Sequence, residues 1–248
     1  GIFVDGDVVL NACTVTGGLQ AVTDTGGNKN ILAASTFGGG VYATGDLHST
    51  SSDFIDCSIT SSSGYDRNAV VEGAAISASN VSITGGTFTG CSANATSWPT
   101  TYTSASVLGG LIEARGSLDI VNAAITENGC GASGPSPSIS GLLRAAAGIT
   151  VVDSELVGNG GGASAGAQFK TSVGASASFI VGNVVFTDSF VIGNGISAGG
   201  YGFSGGAGAA MNFGSATRTR FEGNHVSAAG SGEFGGSSNS TMGWEESH

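Results

Sequence analysis

Residues 73–91 read Gly73-Ala74-Ala75-Ile76-Ser77-Ala78-Ser79-Asn80-Val81-Ser82-Ile83-Thr84-Gly85-Gly86-Thr87-Phe88-Thr89-Gly90-Cys91. The segment opens on small residues. It continues with Val81 and Ile83 alternating with Ser82 and Thr84, and closes on a bulky apolar residue, two variable residues and a cysteine. Alternation of this kind gives a short strand one apolar face. No 3.6-residue period is sustained anywhere, and a glycine every few residues would weaken a helix.

The closing pattern recurs along the chain. It reads Leu10-Asn11-Ala12-Cys13 and Phe54-Ile55-Asp56-Cys57 before this segment. After it come Ile125-Thr126-Glu127-Asn128, Leu156-Val157-Gly158-Asn159, Val191-Ile192-Gly193-Asn194 and Phe221-Glu222-Gly223-Asn224. The small-residue opening recurs as Gly39-Gly40-Val41-Tyr42, Gly109-Gly110-Leu111-Ile112 and Ser140-Gly141-Leu142-Leu143, with weaker copies near Gly166 and Gly208. The distance from opening to close is nearly constant in the four clean copies, and a longer fifth copy implies an insertion between Lys170 and Val181. A fixed core with a variable connection is how a solenoid behaves, because each coil must stack in register while loops on one side differ. The expected fold is all-β, a single right-handed parallel β-helix of about seven coils. It covers residues 1–226, with 227–248 as a Gly/Ser-rich tail, cap or linker.

Equivalent positions on adjacent coils lie about 4.8 Å apart, within disulfide reach, and positions two coils apart do not. If Cys13, Cys57 and Cys91 share a column that Cys130 joins two residues past Asn128, complete pairing means Cys13–Cys57 and Cys91–Cys130. A column of buried free thiols is the other reading. Asn128, Asn159, Asn194 and Asn224 are expected to form an amide ladder at a turn.

Composition narrows the function. Eighteen acidic against seven basic residues give a net charge of −11, which argues against nucleic acid and anionic membranes as partners. No apolar run is long enough to span a bilayer. Glycine is plentiful (45 residues) without a strict period of three, which excludes collagen. Charged residues are only 10%, so the surface is built mainly of Gly, Ser, Thr, Ala and Asn. Three N-x-S/T sequons, at Asn80, Asn94 and Asn239, are candidate glycosylation sites.

The candidate chemistry is sparse. Counting back from the Cys/Asn position aligns Asp153, Asp188 and Arg218 on three consecutive coils. Such a row could protonate a glycosidic oxygen or hold a cation, or it is a solvated ion ladder. Glu113 and Arg144 align after the Gly opening and read as a cross-coil salt bridge. His48, His225 and His248 lack a second ligand or a nucleophile beside them, and no cysteine pair has zinc-ligand spacing, so no metal or cofactor is expected. Residues after the Cys/Asn position, including Thr14-Val15-Thr16 and Ser58-Ile59-Thr60, raise an ice-binding alternative that needs a hydroxyl array on most coils.

The Gly-Gly-Ala-Ile-like element, here Gly73-Ala74-Ala75-Ile76, paired with a Phe-x-x-Asn-like element resembles the repeats of chlamydial polymorphic outer-membrane proteins. Repeats with Cys in place of Asn are similar to those of β-helical surface proteins of bacteria and microbial eukaryotes. The resemblance covers roughly residues 9–226. It implies a β-helix in an extracellular or cell-surface setting, where disulfides form. The expected function is an extracellular structural or adhesive protein, a subunit or segment of a surface filament, coat or adhesin. Its partners would be further copies, other surface proteins or glycans. A polysaccharide lyase or hydrolase and an ice-binding protein are the alternatives.

Overall fold

The computed structural model describes residues 1–24, 33–64, 68–97, 103–165, 174–202, 206–232 and 237–246. Within them the chain winds as a right-handed parallel β-helix, with every strand pairing parallel and no helix. The third coil shows the plan: Asn68–Glu72, Ile76–Ala78, Val81–Thr84, Thr87–Thr89 and Ser92–Ser97. The first three strands belong to a long sheet that bends round the axis. The fourth and fifth each belong to a seven-stranded sheet.

The sequence alternation dictates the register. Val81 pairs with Leu47 below and Leu118 above, and the column continues through Ile149 and Val184, all buried. Their neighbours Ser82 and Asp119 face outward. A one-residue slip would turn the whole column to solvent, so the pattern fixes the stacking. The bulky residue of the closing pattern fills the core beside it. Phe54 and Phe88 stack with centroids 4.7 Å apart, each fully buried and contributing about 2–3 kcal/mol of apolar burial.

Two corners carry ladders of their own. Before the closing strand, the corner residue is Cys13, Ser52, Ser154, Ser189 or Thr219 in successive coils that have a polar side chain there. The hydroxyl of one coil accepts the backbone N–H of the coil below, as in Cys13 N to Ser52 Oγ (3.2 Å) and Ala123 N to Ser154 Oγ (3.1 Å). Ser154 N to Ser189 Oγ (3.2 Å) and Ser189 N to Thr219 Oγ1 (3.4 Å) continue it. After the closing strand the column is Gly18, Cys57, Cys91, Asn128, Asn159, Asn194 and Asn224. Asn159 Oδ1 accepts both N (3.0 Å) and Nδ2 (2.9 Å) of Asn128, and Asn159 Nδ2 donates to Ile125 O (2.7 Å) and Asn194 Oδ1 (3.0 Å). Asn194 and Asn224 repeat the arrangement.

The two cysteines of this column do the work of the amide. Cys57 Sγ donates to Val15 O and Cys91 Sγ to Phe54 O, each at 3.6 Å, while Asn128 Nδ2 donates to Phe88 O. In each case the donor reaches the bulky apolar residue of the coil below.

This geometry corrects the cysteine pairing. All four thiols are free, and neither Cys13–Cys57 nor Cys91–Cys130 forms. Cys13 sits at the earlier corner, level with Ser52. The first coil's true closing pattern is Val15-Thr16-Gly17-Gly18, because Val15 pairs with Phe54. Cys130 lies past the corner, on a strand where it pairs with Ala93 and Gly161 rather than with Cys91. The two-residue offset that carried it to the column's face holds within a strand but not across a corner.

The tail also differs. His225–Gly232 pairs with Gly195–Gly202, and Ser237–Glu246 runs along Gly206–Thr217. The boundary expected at 226 therefore falls inside a strand, and residues 237–246 extend the stack. The insertion expected between Lys170 and Val181 lies partly outside the described residues; Gly174–Val181 is an ordinary strand of the solenoid.

Candidate functional site

Asp153, Asp188 and Arg218 do stack, at the earlier corner. Each holds the residue position just before the Ser/Thr ladder, with φ of 48°, 52° and 48°. Ala12, Ser51 and Asn122 share that position in other coils with φ of 49–53°, and Gly85 fills it in the third. The left-handed region tolerates Asp and Asn better than most residues. The acids are thus explained by the turn. Arg218 grips Asp188 through Nε (2.6 Å to Oδ1) and Nη2, which holds the Asp188 carboxyl below its usual range. The pair lies exposed on a convex corner, where water screens it. Nothing in the arrangement encloses a substrate.

The ice-binding row is not assembled. Thr14 and Thr16 pair with Asp53 and Ile55 on one sheet, while Ser58 and Thr60 lie on the next. Further along that second sheet Gly131 and Gly162 replace the hydroxyls. A hollow of about 260 Å³ beside the asparagine corner is lined by glycines and His225. The His225 ring covers Gly195, leaving no room there for a Cβ. Among the described residues no group of His, Cys, Asp or Glu is arranged to hold a metal, and no helix is long and apolar enough to cross a membrane.

A concave site lies elsewhere, where the first strand of each coil turns into the second. Gly38, Gly73, Gly109 and Gly141 make this turn with φ of 52–83°. The bend folds the outward face of the second strand against the end of the first. At Gly109 an added Cβ would lie 2.7 Å from Glu113 Oε2, and at Gly38 it would lie 2.7 Å from the Tyr42 Cβ. Only glycine permits both the backbone angle and the approach.

One wall of this groove is the register row Phe3, Tyr42, Ser77, Glu113 and Arg144. Opposite stand Phe37, Glu72 and Leu108. Strand parity points Ser77 and Glu113 outward, since Ile76, Ala78, Ile112 and Ala114 line the core. Yet Ser77 is 0% and Glu113 3% exposed. Neighbouring side chains cover them: Arg115 runs back along the row to Ala78 O and Ala43 O, and Arg144 pairs with Glu113.

The aromatic end is ordered. Phe3 and Tyr42 stack with centroids 4.9 Å apart and planes 7° from parallel, and Phe37 tilts against Tyr42 at 5.8 Å. Arg115 reaches back over two coils to place its guanidinium 5.3 Å from the Tyr42 ring centre, donating through Nη2 to Ala43 O (2.7 Å) and through Nε to Ala78 O (3.3 Å). The polar end is buried and strained electrostatically. Arg144 Nη1 donates to Glu113 Oε1. Burial pushes the Glu113 carboxyl up to about 7 against the pull of Arg144, with Glu72 adding a further push and Arg115 opposing. Glu72 is also raised by burial, opposed by Arg115 and Arg144. Five buried side-chain oxygens of the described residues lack a hydrogen-bond partner, and two of them, Ser77 Oγ and Glu113 Oε2, are neighbours in this row. Buried polar atoms left so are costly and mark a place where a ligand or water would be satisfied.

Alignment on the Gly turn brought Glu113 and Arg144 together in the sequence. Tyr42, Ser77, Glu72 and Arg115 went unread because their residue types differ from coil to coil. Outward parity in the short second strand was the available signal. Asn80 is committed to a third corner ladder, its Nδ2 donating to Asp46 Oδ1 and its Oδ1 accepting from Ser117 N, both at 2.9 Å. Asn94 and Asn239 are exposed on strands.

Comparison with family models, curated proteins and solved structures finds no match in any of the three.

Proposed function

We propose that this protein is an extracellular structural or adhesive β-helix that acts as a segment of a surface coat, filament or adhesin. The concave row from Tyr42 to Arg144 would be its recognition surface. The observation that carries the reading is the pair of buried, unpartnered oxygens, Ser77 Oγ and Glu113 Oε2, beside an ordered aromatic stack. Backbone ladders and side-chain ladders hold the coils rigid, so the groove is preorganised and loses little entropy on binding. The surface is poor in charge and built from small residues, which suits close contact with a neighbouring surface. The resemblance to surface-protein repeats agrees with this setting. Free thiols do not contradict it, since the cysteines serve as hydrogen-bond donors inside the stack.

A glycan hydrolase is the second reading. It rests on Glu113, whose carboxyl burial pushes up to about 7, facing a second carboxyl, Glu72, that burial also raises. One experiment separates the two. The purified protein is mixed with insoluble polysaccharide and with protein-coated beads, and both retention on the solid and release of reducing ends are measured. Retention or concentration-dependent self-association without release supports the adhesive reading. Release abolished by Glu113→Gln supports the hydrolase, and a monomer that adheres to nothing overturns the proposal.

A further inference from the structure

All three Asn-Gly steps of the sequence fall in one place. Asn128-Gly129, Asn159-Gly160 and Asn194-Gly195 are consecutive members of the buried asparagine ladder, and no other asparagine is followed by glycine. The stacking does not demand glycine after every ladder residue. At Gly129 an added Cβ would meet nothing closer than Gly160 O at 4.0 Å, and Ser58 and Ser92 hold the same register position. We propose that these asparagines are sites of spontaneous deamidation, held shut by the closed coils and opened by unfolding, so that an unfolded chain loses the ability to refold.

The reaction needs only water. The glycine nitrogen gives up its proton and attacks the asparagine Cγ. The new N–Cγ bond forms, the Cγ–Nδ2 bond breaks, and the amide nitrogen leaves as ammonia with that proton. Water then opens the resulting five-membered imide at either carbonyl, leaving aspartate or isoaspartate. Glycine favours the attack because it has no Cβ to obstruct it and its backbone turns freely.

In the folded chain the reacting groups are engaged. Gly160 N donates to Asn128 O (2.9 Å), and Asn159 Nδ2 donates to Ile125 O (2.7 Å) and Asn194 Oδ1 (3.0 Å). Gly129 N and Gly195 N are bound in the same way, to Cys91 O (2.9 Å) and Asn159 O (2.8 Å). Asn128, Asn159 and Asn194 are all buried, which keeps base and water from them. A converted chain cannot close as before. An aspartate at position 159 has no Nδ2 to donate, and it sets a carboxylate oxygen against Asn194 Oδ1 where solvent does not reach. An isoaspartate carries an extra main-chain carbon and breaks the register of the strand that follows, Gly160–Ala165. Thermolabile asparagines of this kind turn reversible unfolding into a loss of native protein.

The test incubates the whole chain, folded and in urea, with reductant in mildly alkaline buffer. Peptide mass spectrometry reads amide-to-acid exchange at each asparagine, and samples diluted from urea are separated into refolded and unrefolded fractions. Asn128, Asn159 and Asn194 should stay amidated in the folded protein. In urea they should convert at least ten-fold faster than Asn122 and Asn183, which precede Ala123 and Val184. Converted ladder residues should be confined to the unrefolded fraction. Gly129→Ala should slow conversion of Asn128 in urea at least ten-fold and leave Asn159 and Asn194 as they were, a reading that does not require the variant to fold. Conversion in the folded protein as fast as in urea overturns the proposal. So does the absence of any preference for the three sites in urea, or recovery of the native melting transition by chains converted at the ladder.

Discussion

At the residue scale, the corners explain which side chains are structural. Glu127 sits in the left-handed region at φ 56° where Gly90 and Gly158 stand in the adjacent coils. Glu127→Gly should therefore raise the unfolding free energy by about 1 kcal/mol in a urea titration. Asn159→Ala should lower it by about 2 kcal/mol, because it leaves the buried Asn128 N–H without an acceptor. The same logic separates the sequons. Asn80 spends its amide in a corner ladder and Asn94 does not, so peptide mapping of protein secreted from a glycosylating host should find sugar at Asn94 and not at Asn80. The ladder asparagines were legible from spacing alone. The Asp153, Asp188 and Arg218 row was legible as a row but not as a turn, because backbone angle leaves no mark in a sequence beyond a taste for Gly, Asn and Asp.

At the scale of elements, strands and corners were read unequally well. Alternation fixed the strands, as Val81 and Ile83 show. The first coil was misread because Leu10-Asn11-Ala12-Cys13 copies the closing pattern at the wrong corner, and only the pairing of Val15 with Phe54 reveals it. This has a chemical consequence. Cys13 is exposed, whereas Cys57, Cys91 and Cys130 are buried, and burial pushes the Cys130 thiol up to about 12. A native thiol titration should modify one cysteine quickly, and denatured protein should yield four. Two or fewer on denaturation would mean that a disulfide had formed. The groove was least legible, because it depends on a bend at Gly73 and Gly109 that turns an outward residue into a buried one. Sequence parity alone places Ser77 and Glu113 in solvent.

At the scale of the whole molecule, the groove couples recognition to stability. Glu113 ionises near 4.5 when unfolded and at about 7 when folded. Between these values the folded state holds a proton that the unfolded state has lost, so stability is greatest below the window and falls as pH rises through it. Glu72, also raised, acts in the same direction. Asp188, held low by Arg218, acts in the opposite sense at lower pH and is exposed. Melting temperature should thus decline from about pH 5 to pH 7, and Glu113→Gln should flatten that slope. The solenoid keeps such effects local, since each coil packs chiefly on its neighbours, with Arg115 reaching across two coils to Ala43 O. The central claim is that function resides in the concave row and not on the convex corner. Hydroxyl-radical footprinting of the protein, free and bound to a surface or polysaccharide found to retain it, tests this most directly. Protection of Phe37 and Tyr42, with residues 153–155 and 188–190 unchanged, is the result expected. Protection at the Asp153–Asp188 corner, with Tyr42 as reactive as before, would contradict it.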